Sequence, residues 1–255
     1  DALLGLGMTG IGSGKVQKLD LEEAAKLAVD TNKYYANELG VNPAARVTTV
    51  KPSGTTSCVL GTSSGVHAWH NDYYIRRIRV GKNEAIYTYL LLNHPELVED
   101  DFFKPETQAV ISIPQKAEDG GILRHETSIE LLDRVKDIYQ RWIANGHVAG
   151  NNTHNVSCTV SVKEDEWDLV GKWMWDNKEF YNGLSVLPYF AADSTYTQLP
   201  FEDIDETQFT ELVSTLKEVD VSQVVELIDN TDLTGELACA GGACEVTEST
   251  AVAAG

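Results

Sequence analysis

Residues 45–57 read ARVTTVKPSGTTS and join an alternating, β-branched stretch to a polar turn. The alternation predicts a strand over residues 45–51, which Pro52 ends because proline has no N–H to donate to a sheet. Gly54 allows the backbone to approach a ligand closely, and the other four residues of 53–57 carry hydroxyls. A helix starting here would hold an anion such as phosphate with its free N–H groups and the positive end of its dipole. An ordinary helix cap made of Ser and Thr accounts for the same residues equally well.

Strands and helices alternate along the rest of the chain. Strands are predicted over residues 3–14, where a short buried strand runs into a glycine loop, and over 73–80, 110–114, 156–162 and 184–188. Helices are predicted over residues 20–40, 82–92, 127–145, 164–177 and 206–217. The clearest helix has a capping box at Asp20 and Glu23 and ends at Gly40. This alternation predicts an α/β fold with substantial parallel pairing.

The bulk composition limits the kind of protein that this chain can be. Its 255 residues are 42% hydrophobic, enough to bury a sizeable core, and neither a signal peptide nor a long apolar run is recognisable. We therefore expect a cytoplasmic protein without membrane contact. The formal charge of −19 argues against nucleic acid as a partner. The start at Asp1, inside an apolar glycine-rich run, predicts a piece of a longer protein.

Acidic residues are concentrated in the last quarter of the chain, which also holds a cysteine pair. Residues 201–255 contain 13 acidic residues and one lysine, a composition typical of a solvated, partly extended region. Cys239 and Cys244 are separated by four residues that include two glycines, which predicts a mobile dithiol able to exchange with other disulfides. Half of a metal site or two incidental cysteines remain alternatives. Cys58 and Cys158 are isolated and are expected to be structural.

Three further motifs have both a functional and a structural interpretation. Residues 5–10 formally match the dinucleotide fingerprint G-x-G-x-x-G, but more loop follows instead of a helix, so a tight structural turn is expected. His67 and His70 have a spacing that suits metal ligands, but without a third nearby ligand we expect ordinary hydrogen bonds. The basic run 76–79 with Lys82 predicts a salt-bridged strand face, with an anionic ligand as the alternative.

Taken together and in order, several segments resemble a known enzyme family. They are KPSGT (51–55), SSGVH (63–67), YYIRRIR (73–79), GLSVLPY (183–189) and the terminal cysteine pair. They resemble the adenosylcobalamin-dependent (class II) ribonucleotide reductases, especially the ribonucleoside-triphosphate reductase branch. The resemblance extends over residues 3–245. It implies a fragment that contributes to the conversion of ribonucleoside triphosphates to 2′-deoxyribonucleotides by thiyl-radical chemistry.

The resemblance also implies a fold, a cofactor and partners. The fold would be the C-terminal half of a ten-stranded α/β barrel, with residues 1–220 in the catalytic barrel and 221–255 as a flexible acidic tail. The cofactor would be adenosylcobalamin, with most of its site upstream of this fragment. The remaining N-terminal part of the reductase would be a partner, because the family's Asn-x-Cys-x-Glu finger loop is missing here. Alone, the chain is expected to be inactive.

Site residues follow from the resemblance by position. Four residues of the polar turn would hold the substrate phosphates: Ser53, Gly54, Thr55 and Thr56. Cys239 and Cys244 would reduce the active-site disulfide formed at each turnover, and thioredoxin or a similar dithiol donor would re-reduce them. Two alternatives remain, namely a nucleotide-dependent oxidoreductase of another family that uses residues 5–10, and a metal-binding structural module that uses the terminal cysteines. The sequence does not separate a diphosphate from a triphosphate substrate.

Overall fold

The computed structural model describes residues 2–189 and 198–230, with side chains except that of Thr55. Cys239 and Cys244, with the rest of the predicted tail beyond residue 230, lie outside the described residues. The described residues divide into two compact units, one formed by residues 2–69 with 118–189 and the other by residues 70–117 with 198–230. None of the helices within the described ranges combines the length and apolar character needed to cross a lipid bilayer.

The predicted helices and strands are present, with ends that differ by a few residues. The strands are β1 (Leu3–Gly7), β2 (Arg46–Thr49), β3 (Tyr73–Gly81), β4 (Val98–Asp100), β5 (Gln108–Lys116), β6 (Thr159–Val162), β7 (Ser185–Pro188) and β8 (Phe201–Asp203). The helices are α1 (Leu21–Leu39), α2 (Gly54–Val59), α3 (Ala85–Asn93), α4 (Ser128–Ile138), α5 (Trp167–Asp176) and α6 (Glu206–Thr215). The single helix predicted over 127–145 continues beyond α4 as one π-helical and one 3-10 turn, ending at Gly146.

The first unit contains two parallel strand pairs. β1 pairs with β2 and β6 pairs with β7, both in parallel, and a parallel bridge between Val50 and Val156 connects β2 to the segment before β6. Its core is a cluster of fully buried aliphatic side chains that includes Leu132, Val135 and Val160. This unit confirms the predicted α/β character and parallel pairing.

The second unit has a different sheet. Its strand order is β4-β5-β3-β8 and every pair is antiparallel, so the prediction of parallel pairing does not hold here. The seven residues of the loop at 101–107 turn the chain back on itself between β4 and β5, a connection too short for a parallel crossover. β8 and α6 belong to this unit, so the acidic last quarter begins with regular structure.

One predicted feature of β1 is wrong. The strand was expected to be buried, but all five of its residues are exposed, including Leu3, Leu4 and Leu6. A continuous apolar run is typical of a parallel strand that is covered on both faces. Here the described residues provide the hydrogen-bonding neighbour β2 but not the covering layers.

Glu166 links the starts of α4 and α5. Its carboxylate accepts hydrogen bonds from the Ser128 N–H at 3.1 Å, the Ser128 hydroxyl at 2.8 Å and the Lys163 N–H at 3.1 Å. Burial by itself would raise the pKa of this carboxyl group, but the Ser128 and Lys163 hydrogen bonds outweigh it and hold the pKa below its ordinary value. The charged form of Glu166 therefore stabilises the first unit.

The lowered pKa of Glu166 predicts a specific loss of stability in acid. A group whose pKa is lower in the folded than in the unfolded chain contributes stability above its unfolded pKa, and this contribution disappears as the pH falls through the folded pKa. We expect Glu166→Gln to lower the free energy of unfolding by about 2 kcal/mol at pH 7 and by much less near pH 3. Urea denaturation at both pH values measures this difference in unfolding free energy between the wild type and the variant. Glu164→Gln, at an exposed position, is the control. A gap that stays constant with pH would contradict the assignment.

Candidate functional site

The polar turn that follows β2 lies at the carboxyl edge of the parallel pair. Gly7, the last residue of β1, is paired with Thr49, the last residue of β2, so the loops after both strands leave the sheet at the same edge. This edge is where ligands bind in open parallel sheets. α2 begins in the turn, with Ser53 as its N-cap residue. The first N–H groups of any α-helix have no acceptor within the helix, so those of α2 are directed out of its start.

Hydrogen bonds fix the backbone of the turn. The Ser53 N–H donates to the Ser64 hydroxyl at 2.9 Å, and the Ser57 hydroxyl donates to the Ser53 carbonyl oxygen. The Cys58 thiol donates to the Gly54 carbonyl oxygen at 3.0 Å. The Ser53 hydroxyl lies 2.7 Å from the hydroxyl of Thr9. It is therefore turned towards the loop after β1 and not towards the N–H groups of α2.

The second polar loop, which includes Ser63, Ser64 and Gly65, supports the turn from behind. Gly65 has a φ of 54°, and a Cβ at this position would lie 2.6 Å from the Lys51 carbonyl oxygen, so only glycine allows the two segments to come this close. The Gly65 N–H donates to the Thr9 hydroxyl at 2.9 Å. The two segments singled out from the sequence, 51–55 and 63–67, are thus brought together.

The loop after β1 is the part of this site that sequence reasoning missed. The Gly10 N–H donates to the Ser63 carbonyl oxygen at 2.9 Å, and the Ile11 N–H donates to the Gly65 carbonyl oxygen at 3.1 Å. A 3-10 turn over Ile11–Ser13 follows Gly10, in place of the long helix that a dinucleotide fingerprint requires. The expected tight turn is confirmed. The one sequence feature that could have indicated the role of this loop is its threonine, Thr9, within a glycine-rich stretch that follows a predicted strand.

His67 makes hydrogen bonds with both ring nitrogens. Its Nδ1 lies 3.2 Å from the Ser64 carbonyl oxygen and must donate to it, so Nε2 is the acceptor of the Thr159 N–H at 3.1 Å. Burial lowers the pKa of His67 to about 4, so the ring is neutral at physiological pH. His70 contacts Asp203, with 2.9 Å between Nε2 and Oδ1. Nowhere in the described part of the chain do three or more His, Cys, Asp or Glu side chains form a metal-binding group.

The basic run on β3 is a salt-bridged strand face, as expected. Arg77 pairs with Glu99 and Glu202, and Arg79 pairs with Asp101 through an Nε–Oδ2 distance of 2.8 Å. These contacts neutralise the charges of Arg77 and Arg79 within the second unit. They favour the structural interpretation of this run over an anionic ligand.

The two cysteines within the described residues differ in environment. Cys158 is buried, and burial raises the pKa of its thiol to about 12, so it stays protonated and unreactive. Cys58 is exposed in α2. Both are free thiols, and the structural role expected for them stays a prediction.

An acidic cavity of about 430 Å³ lies elsewhere in the first unit. It is lined by Gln17, Ile122, Glu126, Glu130, Asp133, Arg134 and Asp137. Its carboxylates already have partners: Glu126 makes a bidentate pair with Arg134 at 2.6 and 2.7 Å, and Asp133 accepts from the Trp173 indole at 2.7 Å. These two carboxylates are therefore engaged in contacts within the unit.

Comparisons with known proteins agree with the family recognised from the motifs. No protein-family model matches the chain. It is 31% identical over 209 residues to a probable adenosylcobalamin-dependent ribonucleoside-triphosphate reductase of Dictyostelium discoideum, covering 78% of this chain and 25% of that protein. It is 28% identical over 227 residues to the adenosylcobalamin-dependent ribonucleoside-triphosphate reductase of Lactobacillus acidophilus, covering 87% of this chain and 29% of that protein.

A solved structure shares the fold. The crystal structure of a B12-dependent (class II) ribonucleotide reductase matches 83% of this chain and 33% of its own, with a TM-score of 0.64 and 21% identity. The chain thus spans about a quarter to a third of the length of the proteins it matches. The chain is therefore homologous to part of the adenosylcobalamin-dependent (class II) ribonucleotide reductases, which confirms the family recognised from its motifs.

Proposed function

We propose that this chain is the C-terminal portion of a ribonucleotide reductase and supplies the turn that binds the substrate phosphates. The complete enzyme replaces the ribose 2′-hydroxyl of ribonucleoside triphosphates with hydrogen by thiyl-radical chemistry. The observation that carries the proposal is the turn at the carboxyl edge of the parallel sheet, where α2 begins and Ser53 is held from two sides. N–H groups at a helix start, together with neutral hydroxyls, suit a phosphate without an adjacent lysine or arginine.

The exposed strand β1 supports a larger assembly. Leu3, Leu4 and Leu6 present apolar surface that would be covered if the remaining N-terminal part of the reductase completed a ten-stranded barrel around the parallel strands. The partner proposed here is therefore the remainder of the same enzyme.

Cys239 and Cys244 are proposed as the dithiol that passes electrons to the active site. Their thiols would reduce the active-site disulfide by thiol–disulfide exchange, forming a Cys239–Cys244 disulfide that thioredoxin or a similar dithiol reduces in turn. The support for this step is the C-x4-C spacing with its two glycines in an acidic segment. Two electrons and two protons enter from the external dithiol for each deoxyribonucleotide formed.

Adenosylcobalamin is the cofactor named for the relatives, and it would supply the radical that starts the reaction. The acidic cavity of the first unit does not fit it. The carboxylate-lined cavity of about 430 Å³ in the first unit is small for a corrin and would repel the phosphate of its nucleotide tail. We therefore assign most of the cofactor's contacts to parts of the reductase outside this chain and derive no step through it.

The phosphate turn is tested by removing its hydroxyls. We expect Ser53→Ala combined with Thr55→Ala, in the complete reductase, to raise the KM for a ribonucleoside triphosphate about tenfold or more, because each lost hydrogen bond to a charged group weakens binding. Steady-state kinetics measure this, with Ser112→Ala as the control because that hydroxyl lies on β5 and donates to Glu99 at 3.0 Å. A nucleotide KM equal to that of the wild type would count against the turn.

A further inference from the structure

Thr9 makes three hydrogen-bonding contacts with the two loops of the site. Its hydroxyl oxygen lies 2.7 Å from the Ser53 hydroxyl, 2.9 Å from the Ser63 carbonyl oxygen and 2.9 Å from the Gly65 N–H. Thr9 belongs to the glycine-rich segment 5–10, which runs from the end of β1 into the turn that follows it and has no role in the function proposed above. Within this described segment, the Thr9 hydroxyl contacts both the turn that contains Ser53 and the loop that contains Ser63 and Gly65.

The direction of each hydrogen bond follows from the chemistry of the groups. A threonine hydroxyl has one hydrogen to donate and two lone pairs to accept with. The Ser63 carbonyl oxygen only accepts, so it takes the Thr9 hydrogen, and the Gly65 N–H occupies one lone pair. The contact with Ser53 is then one in which Ser53 donates to Thr9. The hydroxyl hydrogen of Ser53 thus points towards Thr9. The lone pairs of the Ser53 hydroxyl oxygen are presented to an incoming ligand, and they repel a phosphate oxygen.

We propose that Thr9 is a positioning residue that switches Ser53 from an inward-facing donor to a donor for phosphate; this inference rests on the proposed phosphate-binding function. When a phosphate oxygen enters the turn, the Ser53 hydrogen rotates towards it. The Thr9 hydrogen then rotates from the Ser63 carbonyl oxygen to the Ser53 oxygen. Both steps are rotations of hydroxyl hydrogens, so no covalent bond breaks and no proton changes owner.

The surrounding hydrogen bonds allow this exchange at little cost. The Ser63 carbonyl oxygen keeps the Gly10 N–H at 2.9 Å, so losing the Thr9 hydrogen does not leave it unpaired. The Ser53 backbone stays fixed by its bond to the Ser64 hydroxyl. A hydroxyl that accepts a hydrogen bond becomes a stronger donor, so Thr9 would strengthen the Ser53–phosphate bond as well as orient it.

The inference is tested with variants of Thr9 in the complete reductase. Thr9→Val keeps the side-chain shape but removes the hydroxyl, and we expect the KM for cytidine triphosphate to rise about fivefold to tenfold with little change in kcat. Thr9→Ser should restore the wild-type KM. Thr9→Ala lacks the same hydroxyl without any added bulk and replaces Thr9→Val if that variant does not fold. Binding of cytidine, which has no phosphate, should be unchanged in all of them, a result that a general loss of structure would not give.

Ser13→Ala is the matched control. Ser13 lies on the same loop, and its hydroxyl contacts the Thr62 hydroxyl at 2.8 Å, so this change removes a contact between the same two loops away from Ser53. We expect a wild-type KM for cytidine triphosphate. An equal rise in KM for Ser13→Ala and Thr9→Val would overturn the inference, because loop tethering alone would then explain both.

A double variant separates failure of this inference from failure of the proposed function. If Thr9 acts through Ser53, then Thr9→Val adds nothing to Ser53→Ala, and the double variant has the KM of Ser53→Ala alone. Effects that multiply in the double variant, or a wild-type KM for Thr9→Val beside a raised KM for Ser53→Ala, would overturn the role of Thr9. A wild-type KM for Ser53→Ala itself would overturn phosphate binding by the turn, and with it this inference.

Discussion

Replacing Cys239 or Cys244 with serine is expected to abolish thioredoxin-driven cycling of the complete reductase while leaving a single turnover intact. Serine cannot form or receive a disulfide, so the two electrons from the external donor would no longer reach the active-site disulfide. Multiple-turnover activity should fall to the background rate. A small dithiol such as dithiothreitol, which diffuses into the site directly, should restore cycling. No other variant proposed here is expected to have so large an effect on activity.

The assay compares thioredoxin with dithiothreitol as the reductant for the same variants. Cys58→Ser is the matched control, because Cys58 is an exposed cysteine outside the pair and a serine hydroxyl can still donate to the Gly54 carbonyl oxygen. It should cycle normally with both reductants. Full thioredoxin-dependent activity in the Cys239→Ser/Cys244→Ser double variant would contradict the proposal that these cysteines pass electrons to the active site. Stoichiometric zinc in the purified protein would instead favour a metal-binding role for these cysteines.

Local features of the sequence were enough to predict much of the fold. The β-branched run before Pro52 and the caps at Asp20 and Gly40 define their elements through contacts within a few residues, and the structure agrees with them. The Asp20 side chain accepts from the Glu23 N–H at 3.0 Å, and Gly40 has a φ of 68°. These local patterns predict the elements correctly because the tertiary contacts of the same residues favour the same secondary structure. The assignment of the turn to phosphate stays a prediction.

Features that depend on distant residues could not be predicted in the same way. The Thr9–Ser53 contact joins residues 44 positions apart, and nothing in the glycine pattern of residues 5–10 identifies its partner. The antiparallel pairing of β3 with β5 is likewise set by tertiary contacts, because the pattern within each strand is compatible with either direction. The apolar sequence of β1 predicts that other residues cover it, but it does not show whether those residues belong to this chain.

Gly12→Ala is expected to have the largest effect on stability. Gly12 is buried in the 3-10 turn after Gly10, and a Cβ there would lie 2.9 Å from the His67 carbonyl carbon and closer still to its oxygen. The opposing atoms are backbone, so no side-chain rotation relieves the overlap. The loop of Ser63 and His67 would have to move away from residues 10–12, breaking hydrogen bonds that hold the site together. We expect the free energy of unfolding to fall by about 3 kcal/mol.

Gly171→Ala is the matched control, because it makes the same chemical change within α5, where a Cβ meets no atom within 4 Å. Alanine has the higher helix propensity, so this variant should gain about 0.5–1 kcal/mol. Urea denaturation followed by tryptophan fluorescence measures both, since Trp142 and Trp173 lie in the core of the first unit. The opposite signs follow from one difference, which is whether the added methyl group faces a fixed backbone or open space. Equal stabilities for the two variants would mean that the loops at residues 12 and 67 do not approach each other as described.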